Sequence, residues 1–382
     1  MYAISTLGHG RGGHFYDLKV ISDSLQSRSD GFVINIGLNE SPIINQCRLP
    51  VYNLYFNGFN FITVLIKIFN IVKVEKPNII NSFDESSFLF SRIISYIKKI
   101  PLILTKCGGP NPKGYFPISK NIILMSKEDL KFFKNKEGYS NTIYLPNRCA
   151  EIKTNYELVN SIKKSFQNKI IFMRISRINE YYKESLLQSV LLIDEISKKV
   201  DNVVFLLVGS MESREVIEMI KEKAKNIDFQ YFSDDLHTKN AAKLIEASDF
   251  LIGTGRSILE GAYFKKNLLT PLSNQKHPVL ITPHNFKDLF ATNFSPRNKL
   301  ELFSQTDNLD EIVKLIKSNS LRLKNGTDIN SISHSSFQIS QIIDKYIQYY
   351  QNVDIDKNIN LLCLMKNMIK VSKQFLKGVL LK

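Results

Sequence analysis

Two kinds of hydrophobic pattern alternate along most of the 382 residues. Short apolar runs at 2–6, 32–36, 78–83, 102–106 and 122–125 have the length of strands buried on both faces. Between them, 15–25, 61–75, 87–97 and 127–134 carry apolar residues at a helical period. This alternation predicts a parallel sheet with helices on both sides. After Pro146 it pauses, and 151–168 is polar and reads as a helix or a linker. It then restarts, with strands predicted at 170–175, 203–208, 229–232, 250–253 and 268–270 and helices at 184–196, 213–225, 240–247 and 258–265. Beyond 306 only helical spacing remains, at 309–316, 337–350 and 360–381.

A single core seldom grows past roughly 250–300 residues, so a chain of this length predicts two domains. The fold class is α/β, with two successive doubly wound, Rossmann-like domains at 1–153 and 168–325 and a C-terminal helical segment at 326–382. That segment is expected to pack back on the first domain.

The net charge is +15. It suits attraction to an anionic partner, such as a nucleotide diphosphate or a phospholipid surface, and it equally suits drift in a chain rich in Lys, Asn and Ile. No Lys/Arg block is interleaved with aromatics, so nucleic acid is not expected as a partner. The four cysteines, Cys47, Cys107, Cys149 and Cys363, are far apart and read as reduced thiols, not a disulfide framework. The chain opens on a strand-like run with no signal-peptide pattern. No uncharged run reaches the ~20 residues a membrane span needs. A cytoplasmic location follows as the expectation.

Three segments could carry chemistry. The first strand runs into Gly8-His9-Gly10-Arg11-Gly12-Gly13-His14 ahead of a helix. Glycines there let backbone N–H groups approach an anion at a helix N-terminus, or simply make a tight turn. No acidic residue closes the second strand, where Asn35-Ile36-Gly37 stands, so NAD binding is disfavoured. After the strand at 170–175, Arg177 and Lys183 flank a loop leading into a helix. Two cations so placed suit a diphosphate and could neutralise charge growing on a departing nucleoside diphosphate, or they are solvated surface residues. Finally Gly253-Thr254-Gly255-Arg256-Ser257-Ile258-Leu259-Glu260 turns from strand to helix. Glu260 could accept hydrogen bonds from ribose or sugar hydroxyls, or Ser257 and Glu260 could form a capping box. Asp84 follows the strand at 78–83 and is either an acceptor-side base or a helix N-terminal acid. The histidines show no metal-ligand spacing, so no metal is expected.

The order of these motifs resembles glycosyltransferase family 4 and its GT-B relatives. Leu145-Pro146-Asn147 is similar to the "PNG" that closes the first domain, with Arg148 in place of its glycine. Arg177 and Lys183 resemble the pair that binds donor phosphates. Phe205 to Gly209 resembles the "l.ivG" strand and turn, Ala247-Ser248-Asp249 the "aD" motif, and Leu259-Glu260-Gly261-Ala262 the "lEA" motif. The family's first glutamate, eight residues before Glu260, is replaced by Ile252.

The resemblance implies a GT-B enzyme with two facing domains and the active site in the cleft between them. It implies transfer of a sugar, with retention, from a UDP- or GDP-linked donor to a glycan or lipid-linked acceptor, in a setting such as bacterial surface polysaccharide assembly. Arg177, Lys183 and Glu260 take the catalytic roles, and Gly209, Gly255, Arg256 and Ser257 join them around the donor. Gly12, Gly13, His14 and Asp84 take the acceptor side. The donor is a substrate, and no cofactor is expected. A sugar-nucleotide epimerase of the same fold and a non-catalytic partner subunit are the alternatives.

The tail, 361–382, sets Leu361, Leu364, Met365, Met368, Val371, Phe375, Val379 and Leu380 mainly on one side and Lys366, Lys370, Lys373 and Lys377 on a neighbouring stripe. This pattern fits a helix lying on anionic lipid, as a peripheral contact, and it fits a helix packed on the first domain.

Overall fold

The structure is a computed structural model that describes residues 1–146, 149–300, 303–337, 339–356 and 360–380. Two compact units divide the chain, Met1–Arg148 with Ile339–Lys382, and Cys149–Gln338. The second part of the "PNG"-like motif, Asn147 and Arg148, lies outside the described residues.

In the first unit, β1 (Tyr2–Thr6), α1 (Gly13–Leu25), β2 (Val33–Gly37), β3 (Val51–Tyr55), α2 (Phe61–Glu75), β4 (Ile80–Ser82), α3 (Glu85–Lys98), β5 (Leu102–Lys106), β6 (Asn121–Leu124), α4 (Lys127–Phe133) and β7 (Asn141–Tyr144) follow in order. The strands form one parallel sheet in the order β3-β2-β1-β4-β5-β6-β7. The edge strands β3 and β7 were not predicted. Each has one face half open to water and carries mixed polar residues, so neither reads as a buried run.

Buried polar residues in this sheet are satisfied sideways. Thr6 donates to Asn35 (2.7 Å), Asn35 to Asn53 (2.9 Å), and Thr105 to Asn81 (2.7 Å). Apolar cores cover both faces. One includes Ile34, Ile36, Leu104 and Leu124 beneath α2 and α3, and the other includes Ile4, Val33 and Ile123 beneath α1.

The second unit runs α5 (Tyr156–Ser165), β8 (Ile170–Ile175), α6 (Lys183–Ser197), β9 (Val203–Val208), α7 (Arg214–Lys223), β10 (Asp228–Phe232), α8 (Asp235–Thr238), β11 (Phe250–Ile252), α9 (Arg256–Tyr263), β12 (Asn267–Thr270), β13 (Val279–Leu280), α10 (Phe286–Phe290), α11 (Gln305–Lys317) and α12 (Asn319–Phe337). Its sheet has the order β10-β9-β8-β11-β12-β13, parallel except for β13. The helix predicted at 240–247 is a 3₁₀ segment, Ala241–Ala247.

Helix α12 has almost no apolar stripe, and its first part, 319–325, was not predicted. It forms because its neighbours demand it. Gly326 approaches so closely that a Cβ would lie 2.1 Å from the Lys265 carbonyl oxygen. Asn330 donates to the Ala262 carbonyl (2.8 Å), and Ile329 is fully buried.

The chain then returns to the first unit with α13 (Ile343–Gln351) and α14 (Leu361–Leu380). The expected segment 326–382 is therefore split, with 326–337 completing α12. The single helix predicted at 337–350 is broken after Phe337 by a 3₁₀ turn, Ile339–Gln341. On α14, Val371 and Phe375 are fully buried in the same core as α2 and α3. No helix among the described residues is long and apolar enough to cross a membrane.

Candidate functional site

In each sheet the winding reverses beside the first strand: β1 lies between β2 and β4, and β8 between β9 and β11. Loops leaving the carboxyl ends of strands at such a point diverge and leave a crevice, where open α/β sheets bind ligands. The expected site residues lie on or beside these loops, in two separate groups.

In the second unit, three loops leave the carboxyl ends of β8, β9 and β11, which are adjacent strands. Gly209 follows β9, and a Cβ on it would lie 1.7 Å from the Ser176 carbonyl oxygen, so only glycine permits this approach. The β8 and β9 loops are then laced together: Ile178 N–H donates to Ser210 O (2.9 Å), and Glu212 N–H and Ser213 N–H donate back to Ile178 O (2.9 and 3.0 Å).

On this frame the Arg177 guanidinium lies 3.8 Å from Glu212 and 5.3 Å from the Tyr182 ring centre, half exposed. Desolvation lowers its pKa, but the Tyr182 hydroxyl and the Glu212 charge outweigh it and raise the pKa overall. Lys183 is the first residue of α6, with its ammonium 3.5 Å from the exposed carboxylate of Glu180. Both cations therefore stand near a helix N-terminus, in loose ion pairs that an anion could displace, with Arg177 also held by Tyr182.

Sequence reasoning missed Arg174. It points from β8 to the first turn of α6, where Nη2 donates to Ser185 Oγ (3.1 Å), and it is 1% exposed. Its Nε and Nη1 have no hydrogen-bond partner among the described residues, and burial pushes its pKa down to about 10, which leaves it charged at neutral pH. A buried cation beside the positive end of a helix is costly until an anion compensates it. The signal was the charge interrupting an apolar strand run, Ile170-Ile171-Phe172-Met173-Arg174-Ile175.

The β11 loop corrects one reading of Glu260. Gly255, at φ 54°, is the N-cap of α9, and Ser257 lies inside the helix with its hydroxyl bonded to Thr254 N and O (both 3.1 Å). No Ser257–Glu260 capping box forms. Glu260 is instead buried and accepts a hydrogen bond from Arg256 Nε at 2.7 Å. Desolvation raises its pKa, and Arg256 opposes the rise. Cys149 lies nearby, its thiol pushed up to about 12 by burial and then by the Glu260 charge. Ile252, at the position of the absent glutamate, is fully buried in β11.

In the first unit, the loop after β1 is pinned by the loop after β2: Ser41 donates to Gly10 O (2.6 Å) and Asn39 to Gly8 O (3.1 Å). Gly12 is the N-cap of α1 without a side-chain cap, and a Cβ at Gly13 would meet open space. The His14 ring lies 4.1 Å from that of Phe15, tilted by 38°. Asp84 is the N-cap of α3, accepting from Ser86 N (2.9 Å) and Ser87 N (2.8 Å) and from Ser5 N and Oγ (2.6 and 2.7 Å). Those four bonds commit its carboxylate to holding β1 against α3. Among the described residues, no group of three or more His, Cys, Asp or Glu is placed to hold a metal ion.

Known structures share this architecture. HepE of Anabaena, in complex with UDP and glucose, superposes with a TM-score of 0.66 at 14% identity, over 92% of this chain and 99% of that one. The chain has the GT-B fold. A glycosyltransferase from Rickettsia africae matches this GT-B chain with a TM-score of 0.61 at 15% identity, over 92% and 97% of the two chains. A Listeria monocytogenes chain described as a putative UDP-N-acetylglucosamine 2-epimerase matches with 0.56 at 9% identity, over 94% and 99%. Neither a family model nor a curated protein matches the sequence.

Proposed function

We propose that this GT-B chain is a retaining, metal-independent glycosyltransferase of hexosyltransferase type. It would move a sugar from a UDP- or GDP-linked donor to a glycan or lipid-linked acceptor in surface polysaccharide synthesis. The observation that carries the reading is the grouping of Arg174, Arg177 and Lys183 at the carboxyl end of β8 and the start of α6, one strand from Glu260. That arrangement suits a nucleoside diphosphate: two accessible cations to bind it, a buried one to add positive potential, and a carboxylate for ribose hydroxyls.

In the reaction, the bond from the anomeric carbon to the diphosphate oxygen breaks and a bond to the acceptor oxygen forms. Arg177 and Lys183 stabilise the charge that builds on the leaving diphosphate. The diphosphate takes the acceptor proton on the same face, so the committed state of Asp84 is no obstacle. Gly12, Gly13 and His14 lie on the acceptor side. A lipid-linked acceptor would place the enzyme peripherally at the cytoplasmic face of a membrane.

The test is calorimetric titration with UDP, GDP and their sugars, followed by product analysis of the donor that binds. Binding with transfer or slow donor hydrolysis is expected. A product changed only at a ring carbon would make the chain an epimerase, and binding without turnover on any acceptor would make it a non-catalytic subunit.

A further inference from the structure

Helix α14 has more apolar surface than its packing uses. Leu364, Asn367, Val371 and Phe375, spaced three and four residues apart, face the sheet. One side further round, Leu361 (67% exposed), Leu362 (61%), Met365 (55%) and Ile369 (51%) face outward. The next strip carries Lys366, Lys373 and Lys377, none of which forms an ion pair among the described residues. The helix contains no acidic residue. A helix that served only to close a core would need the first stripe alone.

Helix α2 repeats the pattern. Val64, Ile68 and Val72 pack into the same core as Val371 and Phe375, so both helices lie on one side of the sheet. Outward, Ile62 (65% exposed) and Ile66 (54%) alternate with Lys67 and Lys73, and Phe59, just before the helix, is 80% exposed. The acid at its last position, Glu75, is turned to the Tyr52 hydroxyl on β3. The turn before α2 touches α14: a Cβ at Gly58, at φ +95°, would meet Ser372 O at 3.0 Å.

We propose that the outward faces of α2 and α14 form a docking surface for an anionic lipid bilayer. Apolar side chains beside lysines without an ion pair among the described residues, with Glu75 the one acid on the two helices and engaged by Tyr52, match the acyl boundary and the phosphate layer of such a membrane together. A second copy of the chain fits badly, because a two-fold contact would set α14 lysines against α14 lysines. The proposal stands on this surface and is independent of the donor chemistry.

Deleting α14 would remove Val371 and Phe375 from the core and so would confuse docking with folding. The test therefore uses the full chain with Leu362→Glu and Ile369→Glu combined, at two exposed positions, and separately Lys366, Lys373 and Lys377 each changed to Gln. Sedimentation is measured with vesicles of phosphatidylcholine alone and with phosphatidylglycerol added. The parent is expected to bind the anionic vesicles about tenfold or more tightly than the neutral ones, and less tightly as salt rises. Both variants are expected to lose that binding while keeping the parental melting temperature and UDP affinity. Equal binding by parent and variants would overturn the proposal, as would no binding by the parent. A parent dimer abolished by the same glutamates, without vesicle binding, would make the face a self-association surface instead. UDP affinity measured without vesicles reports separately on the donor site.

Discussion

The same topological feature, a winding reversal beside the first strand, is used in opposite ways by the two units. At β8/β11 it gathers Arg174, Arg177 and Lys183 with little local anion to balance them. At β1/β4 it holds Asp84, with its carboxylate fully engaged in local bonds. The electrostatic imbalance at one crevice and the fully bonded carboxylate at the other fit the donor site proposed for the second unit. The fold alone, being the same in both, does not tell the two apart.

Substitutions at six positions test that contrast, from the largest expected effect to the smallest. Glu260→Ala breaks the ion pair with a mostly buried Arg256 and is expected to cost about 3 kcal/mol of stability by denaturant unfolding. Glu260→Gln separates charge from shape. Burial raises the folded-state pKa of Glu260, so as pH rises through the ordinary carboxylate range the unfolded chain loses its proton first. The folded state then holds the extra proton, and stability falls with rising pH until Glu260 ionises. The Gln variant is expected to lack that fall and to bind the donor about tenfold more weakly. A parental slope together with parental affinity would return Glu260 to a purely structural role.

Lys183→Ala and Arg177→Ala are each expected to weaken UDP binding about 10- to 100-fold, the equivalent of a charged hydrogen bond of about 1.5–3 kcal/mol. His14→Ala should leave UDP binding alone. If His14→Ala weakened it as much, the contrast between the crevices would fail. Arg174→Met removes an uncompensated buried cation. It is expected to raise the melting temperature of the ligand-free protein while lowering affinity for UDP several-fold and leaving affinity for uridine unchanged. A matched loss for both ligands would mean that Arg174 acts through packing. Asp84→Ala removes a helix cap and is expected to cost about 1 kcal/mol with transfer otherwise retained. A collapse of transfer at unchanged stability would identify Asp84 as a base and reopen the first crevice as a catalytic one.

Much of this organisation was readable from periodicity. Buried central strands such as β5, β8 and β9 announce themselves as continuous apolar runs, and their boundaries match the prediction. What escaped shares a physical cause, which is dependence on partners distant in sequence. The edge strands β3 and β7 are defined by the strand beside them, and the full extent of α12 by the backbone against which Gly326 and Asn330 fit. The site shows the same division. Arg177 and Lys183 stand where their sequence positions set them, at the end of β8 and the start of α6, whereas spacing left a capping box open for Glu260 and the structure pairs it with Arg256 instead. The role of Asp84 depended on a bond to Ser5, 79 residues away, and Arg174 drew notice only once its missing partner could be seen.

The return of the chain to the first unit has a consequence for its synthesis. The second unit is contiguous, so it can close its core once residue 338 is free of the ribosome. The first unit, although begun earlier, has a gap where Val371 and Phe375 belong until α14 emerges. The part made first is therefore completed last. Its unfinished apolar face stays exposed while the whole of the second unit, residues 149–338, is translated, and that interval is when a chaperone or a wrong partner has its best opportunity to bind.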